Sequence, residues 1–161
     1  MDVAVRAYGP GDLPEMAAIW NAVVEGGMAF PQEEPLTPEE ADGFFGSQSH
    51  CGVAVLDGRV VGLYILHPNN VGRCGHICNA SYCVARGMGN KGIGSMLVRD
   101  SLSVAKSLGF RVMQFNAVVQ ENASAIHLYE KEGFRRLGMI PGGFRASDGE
   151  YHTIILFYHE L

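Results

Sequence analysis

The stretch "RGMGNKGIGS", Arg86 to Ser95, places four glycines in ten residues and leads straight into "MLVRDSLSVAKSLGF". Glycines let the main chain approach a ligand closely, and a helix start adds free amides and a favourable dipole. Together they make an anion site that needs no basic side chain. Three phosphate-binding patterns compete for this run. A nucleoside-triphosphate loop ends in Gly-Lys-Ser/Thr, but Lys91 is followed by Gly92 and Ile93. A dinucleotide fingerprint, G-x-G-x-x-G, is present as Gly87, Gly89 and Gly92. That pattern also needs an acid about twenty residues on, at the end of the next strand, and the next strand-like run, "RVMQFNAVV", has none. The third pattern takes a strand ending at Val84, a loop of successive amides and the following helix as one pyrophosphate cradle.

A second constellation lies downstream in "NASAIHLYEKEGF". Asn122 is placed to cap a short helix. Tyr129, on that helix, is either a core aromatic or a proton source, since a phenol with a pKa of about 10 still holds its proton at neutral pH. Polar amides also interrupt two apolar strands. Asn79 and Ser81 share one face of their strand, and Gln114 and Asn116 share a face of the next. Buried amides must be hydrogen-bonded, so Asn79 and Asn116 either bridge neighbouring strands or orient a small polar ligand.

The two motifs together resemble the GNAT superfamily of acyl-CoA-dependent N-acetyltransferases. The family pattern Q/R-x-x-G-x-G/A is matched at Gly92 and Gly94, with Gly89 standing where Arg or Gln is usual. The later pattern N-x-x-A-x-x-L-Y-x-x-x-G-F is matched by Asn122, Ala125, Leu128, Tyr129, Gly133 and Phe134. The resemblance implies a single-domain α/β fold, with a mixed, mostly antiparallel sheet splayed around the acyl-CoA and about four flanking helices. It implies acetyl-CoA as the acyl donor, held by Gly89, Asn90, Lys91, Gly92, Gly94, Ser95 and Asn122. A main-chain donor near Val84 would polarise the thioester carbonyl, and Tyr129 would be the general acid. Arg86 either makes up part of the side chain lost at Gly89 or is merely solvated.

A narrower resemblance is carried by "GHICNASYCV" and "MQFNAVVQEN". These runs are similar to fungal N-acetyltransferases of proline analogues and their bacterial relatives, which implies that Asn79 and Asn116 hold a small amine acceptor such as an amino acid. Acetylation of a protein N-terminus or lysine, and a non-catalytic acyl-CoA-binding module, are the alternatives. Family members shape the acceptor pocket with the loop "MAFPQEEPL", where Phe30 would be a wall. Glu33 or Glu34 there would pair with an ammonium, act as base, or simply be solvated. The strand before the glycine loop has no carboxylate, and His76 stands near its start, away from the splay. Late apolar strands such as "TIILFY" allow a homodimer, as in other family members.

The elements that must position these residues follow from periodicity. "VAVRAY" alternates as a strand, and "GDLPEMAAIWNAVVEGG" has helical spacing with Asp12 as its N-cap. Thr37, Pro38 and Glu40 form a capping-box start for a second, short helix ending near Phe45 or Gly46. Two β-rich runs flank Asp57-Gly58, a two-residue hairpin signal. After "GHICNASYCVA" and the glycines, a helix is expected from Ile93 to Leu108, stopped by Gly109, with Ile93, Leu97, Val104 and Leu108 as its apolar stripe. "RVMQFNAVV", the Asn122-capped helix, "FRRLGMIPG" and "YHTIILFYHEL" complete the order β-α-α-β-β-β-α-β-α-β-β, one mixed-sheet domain over residues 1–161.

Composition narrows the partners. A net charge of −5 with scattered Lys and Arg shows no nucleic-acid footprint. No apolar run is long enough to span a bilayer, and the N-terminus lacks a basic-then-apolar leader pattern, so a cytoplasmic location and no membrane partner are expected. The four cysteines are expected as free thiols. Cys74, His76 and Cys78 share strand parity, but no second ligand pair accompanies them, and no metal is expected.

Overall fold

Alternating and helical patterns give the elements that they predict. In the computed structural model, which describes residues 2–161, the chain runs β1 (Ala4–Ala7), α1 (Leu13–Gly26), α2 (Pro38–Gly46), β2 (His50–Leu56) and β3 (Arg59–Pro68). It continues through β4 (Ile77–Val84), α3 (Ile93–Ser107), β5 (Val112–Val119), α4 (Ala123–Lys131), β6 (Arg135–Arg145) and β7 (Tyr151–Glu160). Of the expected domain, Met1 alone lies outside the described residues. The seven strands form one sheet in the order β1-β2-β3-β4-β5-β7-β6. Every neighbouring pair is antiparallel except β4–β5. None of the described helices is long and apolar enough to cross a membrane.

The β2–β3 turn shows why Asp-Gly was required. Asp57 (φ 50°) and Gly58 (φ 77°) both adopt the left-handed region, which matches the twist of a two-residue hairpin closed by Leu56 opposite Arg59. At α2, Glu40 N–H donates to Thr37 Oγ1 (3.2 Å) and Thr37 N–H donates to Glu40 Oε1 (3.0 Å), the reciprocal box expected.

Two helix details differ from expectation. Asp12 does not cap α1 with its side chain. Its carboxylate instead accepts from Gly9 N–H (2.8 Å) and from both terminal nitrogens of Arg6 (2.7 and 3.0 Å), closing a short 3-10 turn before the helix. On α3, Leu108 is 52% exposed and Val104 is only partly buried. The face that packs is Ile93, Leu97, Val98, Ser101 and Ala105. Steps of four residues keep 93, 97, 101 and 105 near one line, whereas Leu108 falls at the C-cap, where the helix has left the sheet.

Two helical layers cover the sheet. Leu63, Ile65 and Cys83 pack with Met16, Trp20 and Phe45 from α1 and α2. Tyr64, Leu66, Cys78 and Ala80 pack on the other face with Leu97 and Val98 of α3. A fully buried leucine such as Leu97 (0% exposed) contributes about 1.5–3 kcal/mol through its lost apolar surface.

The sheet opens in its middle. β4 and β5 pair only at Ile77↔Val112 and Cys78↔Met113. Beyond that point β4 stays with β3 through Val84, while β5 follows β7 through Val119. On β5 the register shifts between Phe115↔Phe157 and Val118↔Ile155, so Asn116 and Ala117 together face Leu156. A bulge of this kind bends the strand and increases its twist. The result is the splayed sheet that the family resemblance implies.

Candidate active site

The splay is the centre of a cleft of about 940 Å³. Its walls come from the α1–α2 loop, β3, β4, the glycine loop, β5 and α4. Of the residues singled out in the sequence, Asn79, Asn116, Tyr129, Val84, Gly89 and Asn90 line it, as do Gly92, Gly94, Ser95 and Asn122. Lys91 is exposed and does not line the cleft, and neither does Arg86. The cation that does is Lys131 of α4, which sequence reasoning missed. Its signal was the helical spacing that places residue 131 on the same side as Leu128 and His127.

Backbone polarity at the glycine end suits an anion. Met96 N–H to Gly92 O (3.1 Å) is the first bond of α3, leaving the amides of Ile93, Gly94 and Ser95 without a backbone partner among the described residues. Gly87 takes φ 78°, Asn90 φ 59° and Gly92 φ 78°, so the chain turns through the left-handed region three times between β4 and α3. An added Cβ would meet nothing within 4 Å at Gly87, Gly89 or Gly92. These glycines keep open space beside the amides. Gly94 has a different job: a Cβ there would lie 3.1 Å from Leu128 Cδ2, so it sets the close approach of α3 to α4. A pyrophosphate fits this cradle of unpaired amides and the positive end of a 15-residue helix.

Within the splay, β4 turns half of its amides toward the opening. Ala85 N–H donates to Val61 O (2.8 Å) and Asn69 N–H to Ile77 O (2.8 Å). By the antiparallel alternation, odd-numbered residues of β4 bond to β3. Ala80, Tyr82 and Val84 therefore direct their N–H and C=O groups into the gap. Such preorganised donors can polarise a carbonyl placed between the strands.

Tyr129 projects into the same space. Its ring packs on Phe115 (centroids 4.5 Å) and lies 6.1 Å from Tyr82. Its hydroxyl has no hydrogen-bond partner among the described residues, and burial pushes its pKa above the ordinary phenol value. It stays a neutral donor at working pH. Tyr82 is different, because Ser101 Oγ already donates to Val98 O (2.7 Å) and so accepts from the Tyr82 hydroxyl at 2.6 Å. Asn122 does what its capping position predicts, accepting from Ala125 N–H at 3.3 Å, and it lines the cleft as well.

The amides at the far end of the splay form one network. Asn69 Oδ1, in the β3–β4 loop, accepts from Asn116 Nδ2 (2.6 Å) and from Asn79 Nδ2 (3.2 Å). Gln114 Nε2 donates to Asn116 Oδ1 at 3.0 Å. The bridging alternative is present, since the amides link β4 and β5 through Asn69, and Asn79 and Asn116 also line the cleft. Asn69 was not recognised, since a loop asparagine beside Pro68 reads as turn chemistry.

The other candidates resolve plainly. Phe30 is a buried wall, its ring tilted against Trp20 at a centroid distance of 4.4 Å. Glu33 is 74% exposed at its side chain and paired with Arg145 (3.0 Å), and neither it nor Glu34 lines the cleft. Cys74 sits exposed in a 3-10 turn while Cys78 is buried in β4, so the expected shared parity does not exist. Among the described residues no three His, Cys, Asp or Glu side chains group to hold a metal. Burial pushes the Cys78 thiol up to about 12, and Cys83 is raised for the same reason, so neither is a thiolate at neutral pH.

Comparison with known proteins agrees with this geometry. The model of the Acetyltransferase (GNAT) family matches residues 16–134. An N-acetyltransferase of Schizosaccharomyces pombe, aca1, is 30% identical over 86% of this chain and 76% of its own length. A Bacillus subtilis protein named putative phosphinothricin acetyltransferase YwnH is 28% identical, covering 93% of this chain and 94% of its own. Among solved structures, a GCN5-related N-acetyltransferase from Kribbella flavida superposes with a TM-score of 0.90 at 32% identity, covering 99% of this chain and 98% of the other. The chain belongs to the acetyltransferase (GNAT) family and is an acyl-CoA-dependent N-acetyltransferase with acetyl-CoA as its acyl donor.

Proposed function

We propose that the acceptor is the amine of a small amino acid or amino-acid analogue. The observation that carries this reading is the amide network at the narrow end of the splay. Asn69 takes one N–H from each of Asn79 and Asn116, which leaves each side chain a second N–H for a ligand in the cleft. Phe30, Pro31 and Gln32 of the α1–α2 loop also line the cleft and contribute no charge. Neutral, directional donors suit the carboxylate or equivalent acid of a compact acceptor. The B. subtilis relative named for phosphinothricin, itself an amino acid, supports the same class.

In this reading, the amides of Gly92, Gly94 and Ser95 with Asn122 hold the pyrophosphate end of acetyl-CoA, which supplies an activated thioester. Gly89, Asn90 and the exposed Lys91 complete the loop around it. The Tyr82 and Val84 amides polarise the thioester carbonyl from β4. Tyr129 gives its proton to the departing sulfur.

The test is twofold. Saturating acetyl-CoA at about 100 times its Kd stabilises the folded state by about 2.7 kcal/mol, which for a chain of this size raises Tm by about 5–10 °C; NADH and ATP are expected to leave Tm unchanged. Coenzyme A release is then followed with free amino acids, proline analogues, phosphinothricin and peptides. Turnover with the free amino compounds supports the proposal, and turnover with peptides alone would replace it by protein acetylation. Binding without turnover on any amine would mean a non-catalytic acyl-CoA module.

A further inference from the structure

An amine that arrives as an ammonium must lose a proton before it can attack. Among the described residues, no Asp or Glu lines the cleft. The titratable side chains that do are His67, Tyr82, Cys83, His127, Tyr129 and Lys131. His127 and Lys131 belong to α4, on the side of the glycine loop. Burial raises the pKa values of Tyr82, Cys83 and Tyr129, so these three hold their protons. His67 remains.

Its position is on the acceptor side. In the β3–β4 register His67 stands opposite Asn79, and Ile65 opposite Ser81, so the imidazole shares a sheet face with both polar residues. Its Nδ1 lies 2.9 Å from Pro68 O. A carbonyl oxygen only accepts, so Nδ1 carries the hydrogen, and the neutral ring has its lone pair on Nε2. No other hydrogen bond or ion pair engages the ring among the described residues.

We propose that His67 is the catalytic base of the acetyl transfer; this rests on the small-amine reading above. Nε2 takes a proton from the acceptor ammonium and becomes imidazolium. The freed nitrogen lone pair forms the C–N bond, the C–S bond breaks, and the sulfur takes its proton from Tyr129. The acetylated nitrogen gives up its second proton, which passes through water to the Tyr129 oxygen, and His67 returns its own to solvent. The two protons lost by the ammonium thus end on the new thiol and in solvent, and charge and atoms balance.

Few charged groups face the ring. One register step past His50↔Leu66 sets Ser49 beside it on β2, while His50 turns to the opposite face, 5.9 Å from the Tyr64 ring. β4 offers Asn79 and β5 offers Asn116. On the α1–α2 loop, Glu33 is taken by Arg145, and Glu34 does not line the cleft. Arg73 and His76 on the β3–β4 loop are exposed.

The experiment uses the full chain with His67→Gln and His67→Ala, the most active amine of the panel, and rates measured against pH. Near neutrality, kcat/KM is expected to fall about 10²- to 10³-fold, with acetyl-CoA KM unchanged. The acidic limb of the wild-type profile, where a protonated ring cannot act, disappears in both variants. Added imidazole restores part of the His67→Ala rate. Rates within threefold of wild type, or a loss confined to acceptor KM, would overturn the assignment. Nitrogen-15 NMR of the histidines reads the tautomer without any acceptor: Nδ1–H is expected, and Nε2–H refutes it. A wild type that binds acetyl-CoA yet acetylates no amine refutes the transfer reading and the base with it, whereas an active wild type with unaffected variants refutes His67 alone.

Discussion

Removing one oxygen atom separates chemistry from packing in this cleft. The Tyr129 hydroxyl bonds nothing within the described residues, while its ring is held among Phe115, Phe134 and Phe157 at centroid distances of 4.5, 5.8 and 5.9 Å. Tyr129→Phe keeps those contacts and removes no protein hydrogen bond, so stability changes by no more than about 0.5 kcal/mol, or about 1–2 °C in Tm. If the hydroxyl protonates the departing sulfur, its loss costs a general-acid contribution of about 10²- to 10³-fold in kcat, about 3–4 kcal/mol of barrier. Tyr82→Phe is the matched control. It breaks the 2.6 Å bond to Ser101 Oγ but leaves Ser101 bonded to Val98 O, so the expected cost is about 0.5–1.5 kcal/mol of stability with kcat less affected. Steady-state coenzyme A release and thermal melts on both variants check the split. Because burial raises the Tyr129 pKa, its proton stays on as pH climbs toward the ordinary phenol value, and no alkaline loss from its ionisation is expected below pH of about 10. A Tyr129→Phe kcat within threefold of wild type would refute the acid role, and a Tm drop matching the rate loss would trace the effect to packing.

Three further outcomes are expected. Gly92→Ala places a Cβ in open space but at φ 78°, so it should cost about 1–2 kcal/mol of backbone strain and weaken acetyl-CoA binding; an unchanged melt and titration would show that the left-handed turn is dispensable. Asn69→Leu removes the shared acceptor for Asn79 and Asn116, and about one hydrogen bond's worth of positioning, ~1.4 kcal/mol, predicts a tenfold rise in acceptor KM with acetyl-CoA KM unmoved; equal changes in both KM values would contradict it. Arg6 lowers the Asp12 carboxyl pKa by hydrogen bonding, joined by Gly9 N–H and by charge attraction. A depressed folded-state pKa gives stability that is present above the unfolded carboxyl value and lost as pH falls through the folded one. Arg6→Ala should therefore lower Tm at pH 7 and converge on wild type in strong acid, and a gap independent of pH would exclude the linkage.

The local pieces of this protein were legible because their causes are local. The Asp57-Gly58 turn, the Thr37–Glu40 box, the Asn122 cap and the Gly109 stop each depend on residues a few positions apart. The glycine loop and the Tyr129 motif were legible too, since each is a short run of consecutive residues at a helix. Asp12 misled because a carboxylate before a helix reads as a cap, and nothing local reveals that Arg6 comes to it across a turn. Leu108 misled because periodicity does not say where a helix leaves its sheet.

The element order, the glycine loop ahead of α3 and the Asn122–Phe134 motif can be read from the chain alone. The tertiary structure decided what depends on register and long-range pairing. β7 inserts between β5 and β6, β4 and β5 part after Cys78↔Met113, and the bulge at Asn116 bends β5 away. Those events bring Asn69 to two strands at once, while the β3–β4 register sets His67 opposite Asn79. Glu33 pairs with Arg145 and does not line the cleft. Pairings between residues tens of positions apart are chosen by the packing of the whole sheet, so no short window of the chain contains them.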